Sequence, residues 1–320
     1  MRFRTCEVAV CLLCLTVIGC DESSSSCTRP SDCPTGHTCS DGRCLPVLKG
    51  DAGRPEGGLD GPPPGDSVSD TGPDGVIWPD TGTPDGEWCP ANNNGKIERE
   101  EIIVKVPASL AFIYGEEVEV DLAGTTSSGK TVWDLSASHA SDKPEPMKLD
   151  TIPSWAASDF PNATYVSLLN KELGTYGVFH VTQTKMELLG AIGADQYEVI
   201  EYSTPVELLR FPIQPTDSYT TDTLGTGQWG VALISNYETY SVEVVGAGEL
   251  KLPKLTLPVV MVHTEVEQYL YGNPFLKSTY HIFLFIAECY GTVARVVVDG
   301  SLGSDLSKVT AAERWRIASP

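Results

Sequence analysis

Basic residues are scarce in this sequence: 22 Lys and Arg stand against 43 Asp and Glu, for a formal net charge of −21. A nucleic-acid-binding face needs clustered Lys and Arg to neutralise phosphates, and no such cluster occurs, which excludes that class of partner. The same shortage removes electrostatic attraction to anionic lipid as a way of holding a membrane. Apolar runs are short. The one near the N-terminus, Val8–Ile18, has about 11 residues against the ~20 a spanning helix needs. Neither a Gly-x-Ser-x-Gly elbow nor a His-Glu-x-x-His helix is present, so no nucleophile or metalloprotease constellation can be named, and the chain reads as a non-enzyme. Sustained helical periodicity is also missing, which points the folded part toward strands.

What is present begins with an export pattern. Arg2 and Arg4 supply a positive start, Val8–Ile18 an apolar middle, and Gly19 a small residue before cleavage, so residues 1–19 read as a signal peptide. The stretch Leu15-Thr16-Val17-Ile18-Gly19-Cys20 resembles a bacterial lipobox. That resemblance implies acylation of Cys20 by palmitate-type chains, two on the thioether and one on the amide. Each buried methylene contributes ~0.8 kcal/mol, and two chains suffice for stable anchoring. The expected location is the cell envelope, outside the cytoplasm, with the membrane as partner through lipid. Asp21 follows the anchor; an aspartate there retains lipoproteins in the inner membrane of some bacterial groups but not all, so the anchor reads as outer or inner membrane.

Residues 20–46 carry Cys27, Cys33, Cys39 and Cys44 among Gly and Pro. So short a segment has no core and needs covalent staples. Spacings of five, five and four residues lack the tight Cys-x-x-Cys pairs of zinc sites, so two disulfides are expected, with all three pairings open. The pattern Cys-Pro-x-Gly-x-x-Cys-x-x-Gly-x-Cys resembles modules that follow the anchor in uncharacterised myxobacterial-type envelope lipoproteins. Residues 47–88 are rich in Gly, Pro and Asp, as in Gly61-Pro62-Pro63-Pro64-Gly65-Asp66, and read as a disordered linker. About 41 such residues, Val47 to Glu87, have a root-mean-square reach of roughly 35 Å.

The composition changes at Cys89, and residues 89–320 read as one β-rich domain. Its opening, Asn92 to Glu101, resembles an EF-hand or dockerin-type loop. Gly95 falls at the turn position, Asn92, Asn94, Lys96 and Glu98 at ligand positions, and Glu101 at the closing carboxylate, which makes the set a calcium candidate. Pro90 occupies position one, where an aspartate is expected, so a plain Asn–Gly turn without any cofactor is the competing reading. With the other four cysteines paired, Cys89 and Cys289 make the count even, and a bridge between them is expected, with Cys289 in the central or a neighbouring strand.

Beyond the loop the pattern alternates. Tyr240, Val242 and Val244 interleave with Ser241 and Glu243, and Val260, Val262, Thr264 and Val266 with His263, Glu265 and Glu267, as in half-buried strands. Ile282 to Ala287 is apolar on both faces and belongs in the centre. Short helices fit near Met186–Leu189 or Ala311–Arg314. Gly124-Thr-Thr-Ser-Ser-Gly129-Lys130-Thr131 matches the P-loop pattern and Val296–Asp299 its acidic partner strand. However, Val132-Trp133-Asp134-Leu135 follows Lys130 where a helix must open, so a hairpin is expected and no nucleotide partner. His139 falls in a polar loop; His180, His263 and His281 fall on strands.

The architecture expected is an all-β antiparallel sandwich or half-barrel after a disulfide-rich module and a linker. The expected function is display of this β-rich domain as a binding or structural module on the tether, with an envelope protein as partner. Through Val206–Pro212, Gln228–Gly230 and Tyr237–Val244, residues 163–298 are weakly similar to envelope β-domains that curl around acyl chains, which implies carriage or sensing of a lipid or other hydrophobic small molecule as the alternative; an envelope hydrolase is the third reading.

Overall fold

The computed structural model describes residues 29, 37–40, 43–46, 89, 91–102, 104–127, 129–271 and 273–318. The expected signal peptide, Cys20, Cys27, Cys33, the linker 47–88 and Pro90 lie outside them. The chain divides into two compact units at Asp70/Thr71. In the first, β1 (His37–Ser40) and β2 (Arg43–Pro46) form an antiparallel pair that sets Cys39 opposite Cys44.

The second unit holds a 14-stranded sheet. Its strands are β3 (Ala108–Val120), β4 (Thr125–Ser127), β5 (Lys130–Asp134), β6 (Lys143–Asp150), β7 (Tyr165–Asn170), β8 (Thr175–Val181), β9 (Lys185–Ile192), β10 (Glu198–Arg210), β11 (Ser218–Trp229), β12 (Ala232–Lys251), β13 (Thr256–Leu270), β14 (Asn273–Ala287), β15 (Gly291–Asp299) and β16 (Val309–Ile317). The order runs β11-β10-β9-β8-β7-β6-β3-β16-β15-β14-β13-β12, and β12 also pairs with β11, so these strands close into an antiparallel barrel. Closure removes the exposed edges that an open sheet of this size would present. The length of β12 makes it possible. Its first part, through Glu243, pairs with β11, and its last part, from Gly248, pairs in parallel with β5. The register shift between Val244 and Gly246 marks the change of partner.

Side chains from strands across the ring meet inside it: Tyr165 and Phe179 pack with Leu188, Val206, Tyr240 and Val266. Strands β13 and β14 are apolar on their other face as well. Val259, Met261, Phe283 and Phe285 point outward and are still buried to 3% exposure or less. The segment that follows β3 covers them. Leu122, Trp133 and Leu135 lie over this outer face, with Trp133 edge-on to Phe285 at 5.6 Å and its Nε1 donating to Leu122 O at 3.1 Å. The cover is fastened by β16. Arg314 Nη2 and Arg316 Nη2 donate to the two oxygens of Asp142 at 2.7 and 2.6 Å, and both guanidiniums also reach the carbonyl of Ala137. Arg316 donates to Leu135 O besides. Gly115, opposite Arg314 in β3, permits the approach: a Cβ there would sit 2.6 Å from Asp142 Oδ1.

Three expectations change. Met186–Leu189 lies in β9 and Ala311–Arg314 in β16. Those apolar clusters are too short to hold a helix against cross-strand pairing such as Leu188 with Val206 and Trp315 with Tyr114. Cys289 is not on a strand but in the turn between β14 and β15, at φ 68°.

Burial works to raise the Asp142 pKa, but the His139 amide, Arg314 and Arg316 outweigh it and hold the carboxyl below the ordinary range. A depressed folded pKa contributes stability that is present above the unfolded value, near 3.9, and is lost as pH falls through the folded one. Asp142→Asn, which strands two buried guanidiniums, is expected to cost about 3–5 kcal/mol in urea unfolding at neutral pH. Its acid sensitivity below about pH 4 should be weaker than that of the parent chain.

Candidate functional site

The loop that resembles a calcium site is held at the turn joining β14 to β15. Asn92 and Asn93 donate their backbone amides to Glu288 Oε2 at 2.7 and 2.8 Å. Asn92 Oδ1 accepts from Asn94 N, and Asn94 Oδ1 from Lys96 N. Gly95, at φ 80°, supplies the left-handed turn residue. Glu101 is 1% exposed; burial raises its pKa. Both its oxygens are occupied, Oε1 by Asn92 Nδ2 and Oε2 by the Glu98 amide. Among the described residues no group of three or more His, Cys, Asp or Glu could hold a metal. Of the oxygens a calcium ion would need, those of Asn92, Asn94 and Glu101 already accept protein hydrogens, which makes this part of the loop a self-bonded turn.

That turn is a latch. Cys89 and Cys289 are bonded, Cα to Cα 5.6 Å, across a sequence separation of 200. The Cys289 amide donates to Glu101 O at 2.7 Å. Beside the latch lies a shallow hollow of about 180 Å³ that brings two sequence motifs to one place: Asn93 and Lys96 from the loop, and Lys130 from the P-loop-like stretch. Lys130 pairs with Glu249 at 3.0 Å, and Glu288 is engaged by the loop amides. The P-loop-like stretch is the hairpin β4–β5, and Lys130 opens a strand.

A second hollow, about 280 Å³, opens on the outer face beneath the cover, between Trp133, Glu243, Met261, His263 and Phe283. His263 stacks on Phe283 at 4.4 Å and lies 3.1 Å, Nε2 to Nδ1, from His281. Burial, then the neighbouring His281, lowers the His263 pKa to about 4. Burial lowers that of His281 also, and its Nε2 has no hydrogen-bond partner. The sequence held a signal for this pair that periodicity alone does not use. The two histidines are equidistant from Gly272 in the β13–β14 connection, so any hairpin turning there sets them nearly opposite.

The ring interior carries paired polar groups. Glu238, 5% exposed, accepts from Tyr202 Oη at 2.9 Å, Tyr240 Oη at 2.6 Å and Gln268 Nε2 at 2.7 Å. Burial first, then the Glu238 charge, push both tyrosines well above their ordinary pKa. Farther round, Arg295 and Trp315 both donate to Glu313, at 2.8 and 2.9 Å. These networks lie among the aromatic and aliphatic side chains that pack inside the barrel, with Arg295 Nε left unpaired.

No family model and no curated protein matches the chain. A solved structure, the hypothetical lipoprotein YmcC from Escherichia coli (K12), aligns at a TM-score of 0.23 and 12% identity, covering 45% of this chain and 77% of that one.

Replacing Cys89 and Cys289 together by serine should lower the urea midpoint. The chain-entropy limit for so long a loop is about 5 kcal/mol, and reduction of the parent protein should reproduce the shift. The histidine pair has a separate pH signature. An unfolded imidazole, near pKa 6.5, takes a proton more readily than His263 does, so stability should fall as pH is lowered from about 6.5 toward 4. His263→Phe, which keeps the stack, should flatten that part of the stability profile.

Proposed function

We propose that this chain is an acylated envelope lipoprotein that displays a closed β-barrel on a flexible tether, as a binding or structural module and not as an enzyme. The observation that carries the reading is the run Leu15–Cys20 behind Arg2, Arg4 and a short apolar segment. The Cys89–Cys289 bridge supports it, since such bonds persist in oxidising compartments outside the cytosol. The acidic composition supports it as well, because a chain of net charge −21 needs covalent lipid to stay at a membrane. The filled ring interior favours display of an outer surface over carriage of an acyl chain within.

The test is Cys20→Ser. The parent chain should incorporate labelled palmitate, sediment with membranes and survive an alkaline wash; the variant should incorporate none and move to the soluble fraction. A variant that stays on washed membranes would overturn the reading.

A further inference from the structure

At one end of the barrel the hairpins β11–β12 and β13–β14 lie side by side, Asn236 opposite Leu270 and Tyr237 opposite Tyr269. Neither carries a charge near its tip: residues 226–237 and 268–276 contain no Asp, Glu, Lys or Arg, in a chain of net charge −21. The tips are apolar and open to water. Val231 is 104% exposed, Leu233 87%, Tyr271 56% and Leu270 44%. Behind them stands a row of aromatics, with Tyr237 5.5 Å from Tyr269 and 5.3 Å from Tyr271. Within these two hairpins charge resumes only behind that row, where Lys277 pairs with Glu267. Along β12 the step from Leu233 to Tyr237 is about 13 Å.

We propose that these two hairpins dock into the bilayer that holds the lipid anchor. The order aliphatic tip, tyrosine row, ion pairs reproduces the polarity profile of a membrane interface, where hydrocarbon gives way to headgroups at about the depth tyrosine favours. A protein partner would need no such graded order. The neighbouring β9–β10 turn carries Asp195, and Glu198 opens β10 opposite Trp229, level with the tips, so insertion is confined to the two uncharged hairpins and favours zwitterionic over anionic lipid. The attachment point allows it. Cys89, where the domain begins, is bonded to Cys289 at the other end of β14 from the tips, and 15 residues of strand span about 50 Å. The linker of about 41 residues can extend to ~140 Å, enough to double back along the barrel.

The proposal rests on the acyl-anchor reading, and the experiment separates the two. The full acylated chain, carrying an environment-sensitive fluorophore on Val231→Cys, is reconstituted into phosphatidylcholine vesicles with brominated acyl chains, and vesicle flotation is scored alongside. The same label on Lys254→Cys, in the exposed turn at the opposite end of β12, is the comparison, and the unsubstituted chain is the blank. The Val231 label should shift to the blue and be quenched several-fold more than the Lys254 label. Adding Leu233→Asp or anionic lipid should reduce that difference. Flotation with the Val231 label unquenched overturns docking and leaves the anchor standing; failure to float overturns both.

Discussion

Strands β13 and β14 bury apolar side chains on both faces, and a wall of that kind needs two covers. Inside, the closed ring supplies one from its own far strands. Outside, nothing in the barrel can, and the chain spends residues 121–142 on the task, laying Leu122, Trp133 and Leu135 over Met261 and Phe285. The cover is itself poor in regular pairing, so its position depends on Asp142 meeting two arginines of β16. One carboxylate between two guanidiniums leaves an excess positive charge in a buried place. The carbonyls of Leu135 and Ala137 accept from the Nη1 groups, so the charge is met in part by oriented backbone dipoles that belong to the cover itself, while both Nε groups are left without a partner. The clamp and the segment it fastens are thus parts of the same interaction.

The strands were legible where their periodicity was clean. Tyr240, Val242 and Val244 point inward as the alternation says, and the two-sided run from Ile282 to Ala287 lies between β13 and β15. The alternation at Val260–Glu267 was only half of the truth, because Val259 and Met261 are as buried as Val260 and Val262, under a cover whose origin lies more than a hundred residues earlier. Barrel closure was not legible at all. It depends on β12 changing partner at a register shift, and no local pattern announces which strand a long hairpin arm will find. The letters of the loop at Asn92 fit a calcium site. The side-chain oxygens of Asn92, Asn94 and Glu101 accept from the Asn94, Lys96 and Glu98 amides, a competition visible only in three dimensions.

The barrel separates its chemistry by location. Polar groups inside are gathered into networks, as at Glu238 and Glu313, though Arg295 Nε is left without a partner. Those on the outer face under the cover are left partly unpaired, as at His281. Apolar side chains in water gather at one end, and the covalent latch stands at the other. Such an ordering suits a domain whose interior only has to be stable while its ends meet other things.

The bond between Cys89 and Cys289 encloses nearly every exposed turn of the barrel in one covalent loop. A protease that nicks any of those turns therefore does not release a fragment: both pieces stay joined through the bridge and through the hydrogen-bonded ring. For this domain a single cut is a scar rather than a loss, and only a second cut or a reductant would set a piece free.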